Sequence, residues 1–117
     1  MQYKLDEDTK KIVKALVHAD AKRKKRKPAG DHTDFDQKAE RAIAAAGEEM
    51  ELAGYDPAAR RQVLAKIYES LIYNTPWELL GETYCCRRLF YEYRKEYCYR
   101  VAVHMGIIKP ATTDSSQ

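Results

Sequence analysis

The sequence is poor in the residues that punctuate a chain. Glycine occurs five times and proline four times in 117 residues. That scarcity argues against an all-β fold, which needs a turn signal every few residues. Cysteine is also scarce, with Cys85, Cys86 and Cys98 its three copies. The count is odd, and an adjacent pair cannot close an ordinary disulfide without strained geometry. The expectation is a reducing compartment, with cysteine serving as a small, soft packing residue. No apolar run reaches the roughly 18 residues that cross a bilayer as a helix, so no membrane partner is expected. The opening Met1-Gln2-Tyr3-Lys4-Leu5-Asp6 contains no apolar signal stretch, and the expected location is intracellular.

Signatures of chemistry are missing as well. There is no glycine-rich phosphate loop, no nucleophile elbow and no spaced carboxylate pair, so neither an enzyme nor a cofactor is expected. Tyr91, Tyr93, Tyr97 and Tyr99 stand beside arginines, as in a tyrosine recombinase, but such enzymes need a far larger scaffold. The favoured reading is tyrosines that straddle a core–solvent boundary. His18, His32, His104 and the cysteines form neither a C-x-x-C nor an H-x-x-x-H pair. Asp31-His32-Thr33-Asp34 is an ordinary polar loop, and no metal is expected.

What is present is charge, unevenly distributed. The net charge is only +3, yet residues 1–30 carry +6, residues 31–56 carry −6, residues 57–82 balance, and residues 83–117 carry +3. Blocks of this kind suit polyanion binding, self-complementary packing, or both. Apolar residues make up 44%, enough for one core at a length where folding buries well over half the unfolded surface.

The pattern is helical throughout, and five segments are expected. The first, from about Leu5 to Arg26, has Ile12, Ala15, Leu16 and Ala19 on one face, widened by Val13 and Val17. It ends in the basic run Lys22-Arg23-Lys24-Lys25-Arg26-Lys27, which Pro28 and Gly30 break. The second, from about Phe35 to Ala53, opens on a capping box at Asp34 and Gln37 and closes at Gly54. Its stripe is Phe35, Ala39, Ala42, Ile43, Ala46, Met50 and Ala53. The third starts at Asp56-Pro57 and ends near Tyr73-Asn74, with Val63, Leu64, Ile67, Tyr68, Leu71 and Ile72 in phase. The fourth is a short helix capped by Thr75-Pro76-Trp77-Glu78. The fifth runs from about Cys85 to Met105, stops at Gly106, and lets Ile107 and Ile108 fold back. The expected class is all-α, a small bundle of four long helices and one short one, with a helix-turn-helix-like C-terminal half. Residues 1–108 form one domain, as an N-terminal helical pair (1–55) and a second half (56–108). Residues 109–117 are a disordered tail. The expected core includes Leu64, Ile67, Leu71, Trp77, Leu80, Phe90, Tyr97 and Val101.

A short helix, a brief turn and a long basic–aromatic helix is the order a helix-turn-helix needs. Its second helix presents its N-terminal half to the major groove. Candidate DNA contacts there are Arg87, Arg88, Tyr91, Arg94 and Lys95. Arginine pairs bidentately with guanine or phosphate, and tyrosine donates to phosphate. The competing reading is an amphipathic helix whose charged face is merely solvated. From Pro76-Trp77-Glu78-Leu79-Leu80 through Arg87-Arg88-Leu89-Phe90-Tyr91-Glu92-Tyr93-Arg94-Lys95, the stretch resembles the C-terminal helix-turn-helix of ArpU/RinA-type phage and prophage late-gene regulators. Their fold is similar to region 4 of sigma factors. Trp77, Glu78 and Leu79 match the motif's start, and Arg87, Arg88, Phe90 and Arg94 match its recognition helix. Cys86 replaces the usual serine, Tyr84 stands at the turn glycine and Thr83 at a core leucine. The resemblance covers about 35 residues of the 117.

That resemblance implies a cytoplasmic protein of a bacterial host cell that binds duplex DNA and regulates transcription. A homodimer is expected, since one short recognition helix gives a small interface. Lys22, Arg23, Lys24, Lys25, Arg26 and Lys27 would add phosphate contacts, or form a solvated helix end favoured by the helix dipole. The acidic second segment is either an ordinary solvated face or a docking surface for a basic partner. The alternative function is therefore a helical protein-binding module, such as a phage inhibitor of host defence of the anti-CRISPR kind.

Overall fold

The computed structural model describes residues 3–26 and 33–109, apart from the side chains of residues 21 and 23–26. Among the described residues, four helices, α1 (Glu7–Arg26), α2 (Asp34–Glu49), α3 (Pro57–Tyr73) and α4 (Arg87–His104), surround one core, with a single 3-10 turn at Trp77–Leu79. The all-α expectation holds. The expected tail lies outside the described residues beyond Lys109, as do residues 27–32, where the break at Pro28 and Gly30 is expected.

Local chemistry explains most boundaries. Asp6 accepts from the Thr9 N–H at 2.7 Å and opens α1. That bond holds the Asp6 carboxyl below its ordinary range. Asp56 caps α3 through the Ala59 N–H, Pro57 takes the first turn, and Asn74 closes the helix in the left-handed region. The capping box of α2 sits one residue earlier than expected. Thr33 and Asp36 exchange bonds of 3.0 and 3.1 Å, because Asp36 stands three residues beyond Thr33. The end of α2 also differs from expectation. The helix stops at Glu49 rather than running to Ala53 and Gly54. Arg60, at the start of α3, donates to the carbonyls of Gly47, Glu48 and Met50 at 2.7, 3.0 and 2.9 Å. A guanidinium thus satisfies orphan carbonyls that a glycine cap would otherwise serve.

The buried face of α1 is rotated from the expected one. Thr9, Val13, Leu16, Val17 and Asp20 are buried, whereas Ile12 is 46% exposed and Ala15 faces outward. The reason is Asp20, whose carboxylate accepts from the Tyr68 hydroxyl inside the fold. A buried carboxylate needs such a partner, and the pairing sets the helix's rotation. Phe35, expected on the α2 stripe, is 57% exposed where the first turn of α2 overhangs an open groove.

Packing joins the two halves of the chain. α2 packs most extensively on α4, and α1 on α3. The alanines of α2, Ala39, Ala42 and Ala46, are buried and permit that close approach. Ile67, Leu71, Leu80, Phe90, Tyr97 and Val101 are buried as expected, while Leu64 and Trp77 are half-buried. Gly106 ends α4 with positive φ, the Ile107 N–H returns to the Ala102 carbonyl, and Ile107 and Ile108 pack on the core.

Candidate nucleic-acid interface

The segment between α3 and α4 is built around Trp77. The expected short helix is instead one 3-10 turn, and no side chain caps it. The expected Thr75–Glu78 capping box therefore does not form. Gly81, with φ 80°, turns the chain away two residues after Leu79, before a helix can lengthen. The indole N–H of Trp77 donates to the Thr83 hydroxyl at 2.9 Å, and that hydroxyl donates to the Cys85 carbonyl at 2.9 Å. Thr83 is buried, and its hydroxyl bridges the indole N–H to the Cys85 carbonyl, which the indole N–H also reaches directly at 3.3 Å. Tyr84 adopts φ 62°, the left-handed conformation a turn glycine takes most easily. The Tyr55 hydroxyl fixes that corner by donating to the Tyr84 carbonyl at 3.0 Å. Desolvation pushes the Tyr55 hydroxyl up to about 12. Cys86 is the N-cap residue of α4, and Arg87 and Arg88 open the helix.

The five candidate residues of α4 occupy different environments. Arg88 is exposed, and it has no hydrogen bond or ion pair among the described residues. Arg87 is exposed and meets Glu78 at 3.1 Å across the turn. Such exposed pairs are worth little, so an incoming anion can displace the carboxylate. Lys95 is exposed and keeps a loose 3.9 Å contact with Glu92. Tyr91 is half-buried and committed to the fold. Its hydroxyl accepts the Trp77 backbone N–H at 3.0 Å, and its ring lies under the guanidinium groups of Arg87 and Arg94 at 5.3 and 4.9 Å. Arg94 also donates to Ser70 on α3 at 2.9 Å. The outward-facing basic set is therefore Arg87, Arg88 and Lys95, with Tyr91 and Arg94 bracing them from behind.

The second half of α4 is electrically different. Arg100 meets Glu96 at 2.8 Å and Glu49 of α2 at 3.1 Å, and His104 meets Glu49 at 2.8 Å. The end of the acidic helix thus neutralises the end of the basic one. Among the described residues, Arg88 and Arg94 in the first half of α4 have no carboxylate partner, and Arg87 and Lys95 have only exposed ones.

The basic run begins at Lys22, which is exposed, and α1 continues through Arg26. The side chains of Arg23, Lys24, Lys25 and Arg26 lie outside the described residues, as does Lys27. Among the described residues, no three histidine, cysteine, aspartate or glutamate side chains converge as a metal site would. No helix among them is long and apolar enough to cross a membrane. Lys4, Lys10 and Lys14, not singled out from the sequence, line a cleft with Arg94 and Lys95. The i, i+4 spacing of Lys10 and Lys14 was the available signal. Comparison with models of protein families, with curated proteins and with solved structures returns no match.

Proposed function

We propose that this chain binds duplex DNA through the first half of α4, assisted by the basic end of α1, as a small transcription regulator of phage or prophage. One observation carries the reading. Arg87 and Arg88 sit exposed at the first turn of a helix whose start is braced by Trp77, Tyr91 and Thr83. A rigid helix offering unburied guanidinium groups at its N-terminal end suits entry into the major groove, and Lys95 two turns on would meet the flanking phosphates. The left-handed Tyr84 suits the resemblance to ArpU/RinA-type regulators, whose motif has a turn glycine, the residue most at ease in that conformation, at this position. A homodimer would double a small contact area.

The test is fluorescence anisotropy of a random duplex at ~50 mM salt, where phosphate contacts dominate binding. Wild type should bind. Arg88→Glu with Lys95→Glu should weaken binding at least about tenfold at unchanged thermal stability, since both side chains are exposed. Absence of wild-type binding, or an unaffected double variant, refutes the reading.

A second reading, an anti-CRISPR-like or other protein-binding module, draws on a different feature. Ile12, Ala15, Leu16 and Phe35 line an open apolar groove between α1 and α2, and Ile12 and Phe35 are exposed there. Exposed apolar surface of this kind favours a protein contact.

A further inference from the structure

The residues preceding α1, α1 itself and the first half of α4 enclose a cleft of about 480 Å³. Lys4, Lys10 and Lys14 line it from one wall and Arg94 and Lys95 from the other, against the single carboxylate of Glu7. Lys10 occupies Glu7 at 3.2 Å. Lys4, Lys14 and Arg94 have no carboxylate at ion-pair distance among the described residues. Cations gathered without counter-charges repel one another, and the repulsion is relieved when an anion enters.

Arg94 is the best-prepared group. Its two partners, the Ser70 hydroxyl and the Tyr91 ring, are both neutral. They fix the guanidinium without quenching its charge, and most of its five N–H donors remain for a ligand. Cys98 also lines the cleft. Burial pushes its thiol up to about 11, although Arg94 and Lys14 pull the other way, so it stays protonated and adds no negative charge. A mobile lysine pair opposite a fixed arginine fork is a suitable donor set for phosphate oxygens.

We propose that this cleft is a phosphate-binding site. Its ligand is either a backbone phosphate of the duplex met by α4 or a free inorganic polyphosphate. Only the first source rests on the DNA reading. The test compares wild type with the double variant Lys4→Gln, Lys14→Gln, both exposed positions whose change leaves the core intact. Tripolyphosphate is titrated calorimetrically, and a random duplex is titrated over a range of salt.

Tripolyphosphate binding that the double variant weakens at least about tenfold establishes a free-phosphate site, whatever the duplex does. A duplex salt slope that falls by about 2 in the variant, at roughly 0.9 per phosphate contact, assigns the cleft to the strand. Tripolyphosphate binding that is absent or equal in both proteins, with an unchanged duplex slope, overturns the cleft and leaves the DNA reading intact. Failure of both ligands to bind at ~50 mM salt overturns both.

Discussion

Tyr91 separates a group that reads DNA from a group that holds the reader in place. Tyr91→Phe keeps the ring under Arg87 and Arg94 and removes only the acceptor for the Trp77 N–H. That N–H is part-buried and the bond is a good one at 3.0 Å. Leaving a buried donor unsatisfied costs about 1–3 kcal/mol, and partial access to water moves the expectation to about 1–2. At this size, that lowers the melting temperature by roughly 5–10 °C. The check is thermal and urea unfolding followed by circular dichroism, with duplex affinity measured in parallel below the transition. The expected result is lower stability, an unchanged urea m-value and duplex affinity within about twofold of wild type. Unchanged stability together with a large loss of affinity would refute the buttress role and return the hydroxyl to the DNA.

Three further outcomes are expected. Arg60→Ala leaves the end of α2 without its guanidinium cap and should cost about 2 kcal/mol by urea unfolding, since hydrogen bonds to charged groups exceed neutral ones. Gly47→Ala should stabilise by about 0.5–1 kcal/mol, since glycine is the poorer helix former. The new methyl would meet Leu64 and Tyr97 at 3.9 Å, ordinary contact distance, and a lower melting temperature would contradict that packing. Alkaline pH should destabilise the fold. The Cys98 thiol rises from 9.0 to about 11 on folding, so its contribution is complete below about pH 9 and is lost as pH climbs towards 11. The slope is at most about 1.4 kcal/mol per pH unit for one group, and Cys98→Ala should flatten the curve in that window.

What the sequence reveals well is local. Asp56-Pro57 and Asn74 bracket α3 because N-cap, proline and left-handed asparagine are chemistries of neighbouring residues. What escapes it depends on residues distant along the chain. The rotation of α1 follows from Asp20 meeting Tyr68, and the end of α2 from Arg60 reaching back. Pro76-Trp77-Glu78 carries a helix-start pattern, yet Gly81 and the Trp77–Thr83 pair turn the chain after one 3-10 turn. The candidate interface was legible in part for the same reason. Arg87, Arg88 and Lys95 are exposed as their helical phase suggests, whereas Tyr91 is drawn into the fold by a backbone N–H that periodicity does not reveal. The basic cleft joins Lys4, Lys10 and Lys14 to Arg94 and Lys95 only through tertiary packing of α1 on α4.

Charge blocks that cancel in the total are partly resolved in space. Glu49 of the acidic helix meets Arg100 and His104, so the negative and positive blocks touch within one molecule at the far end of α4. The near end stays positive, and the central claim concerns that end. A two-dimensional amide NMR titration with unlabelled duplex tests it most directly. The account predicts perturbations concentrated at residues 84–95 and 22–26, with residues 4–14 joining them if the cleft holds a strand phosphate. No perturbation at ~50 mM salt, or one centred on the acidic face of α2, would contradict it.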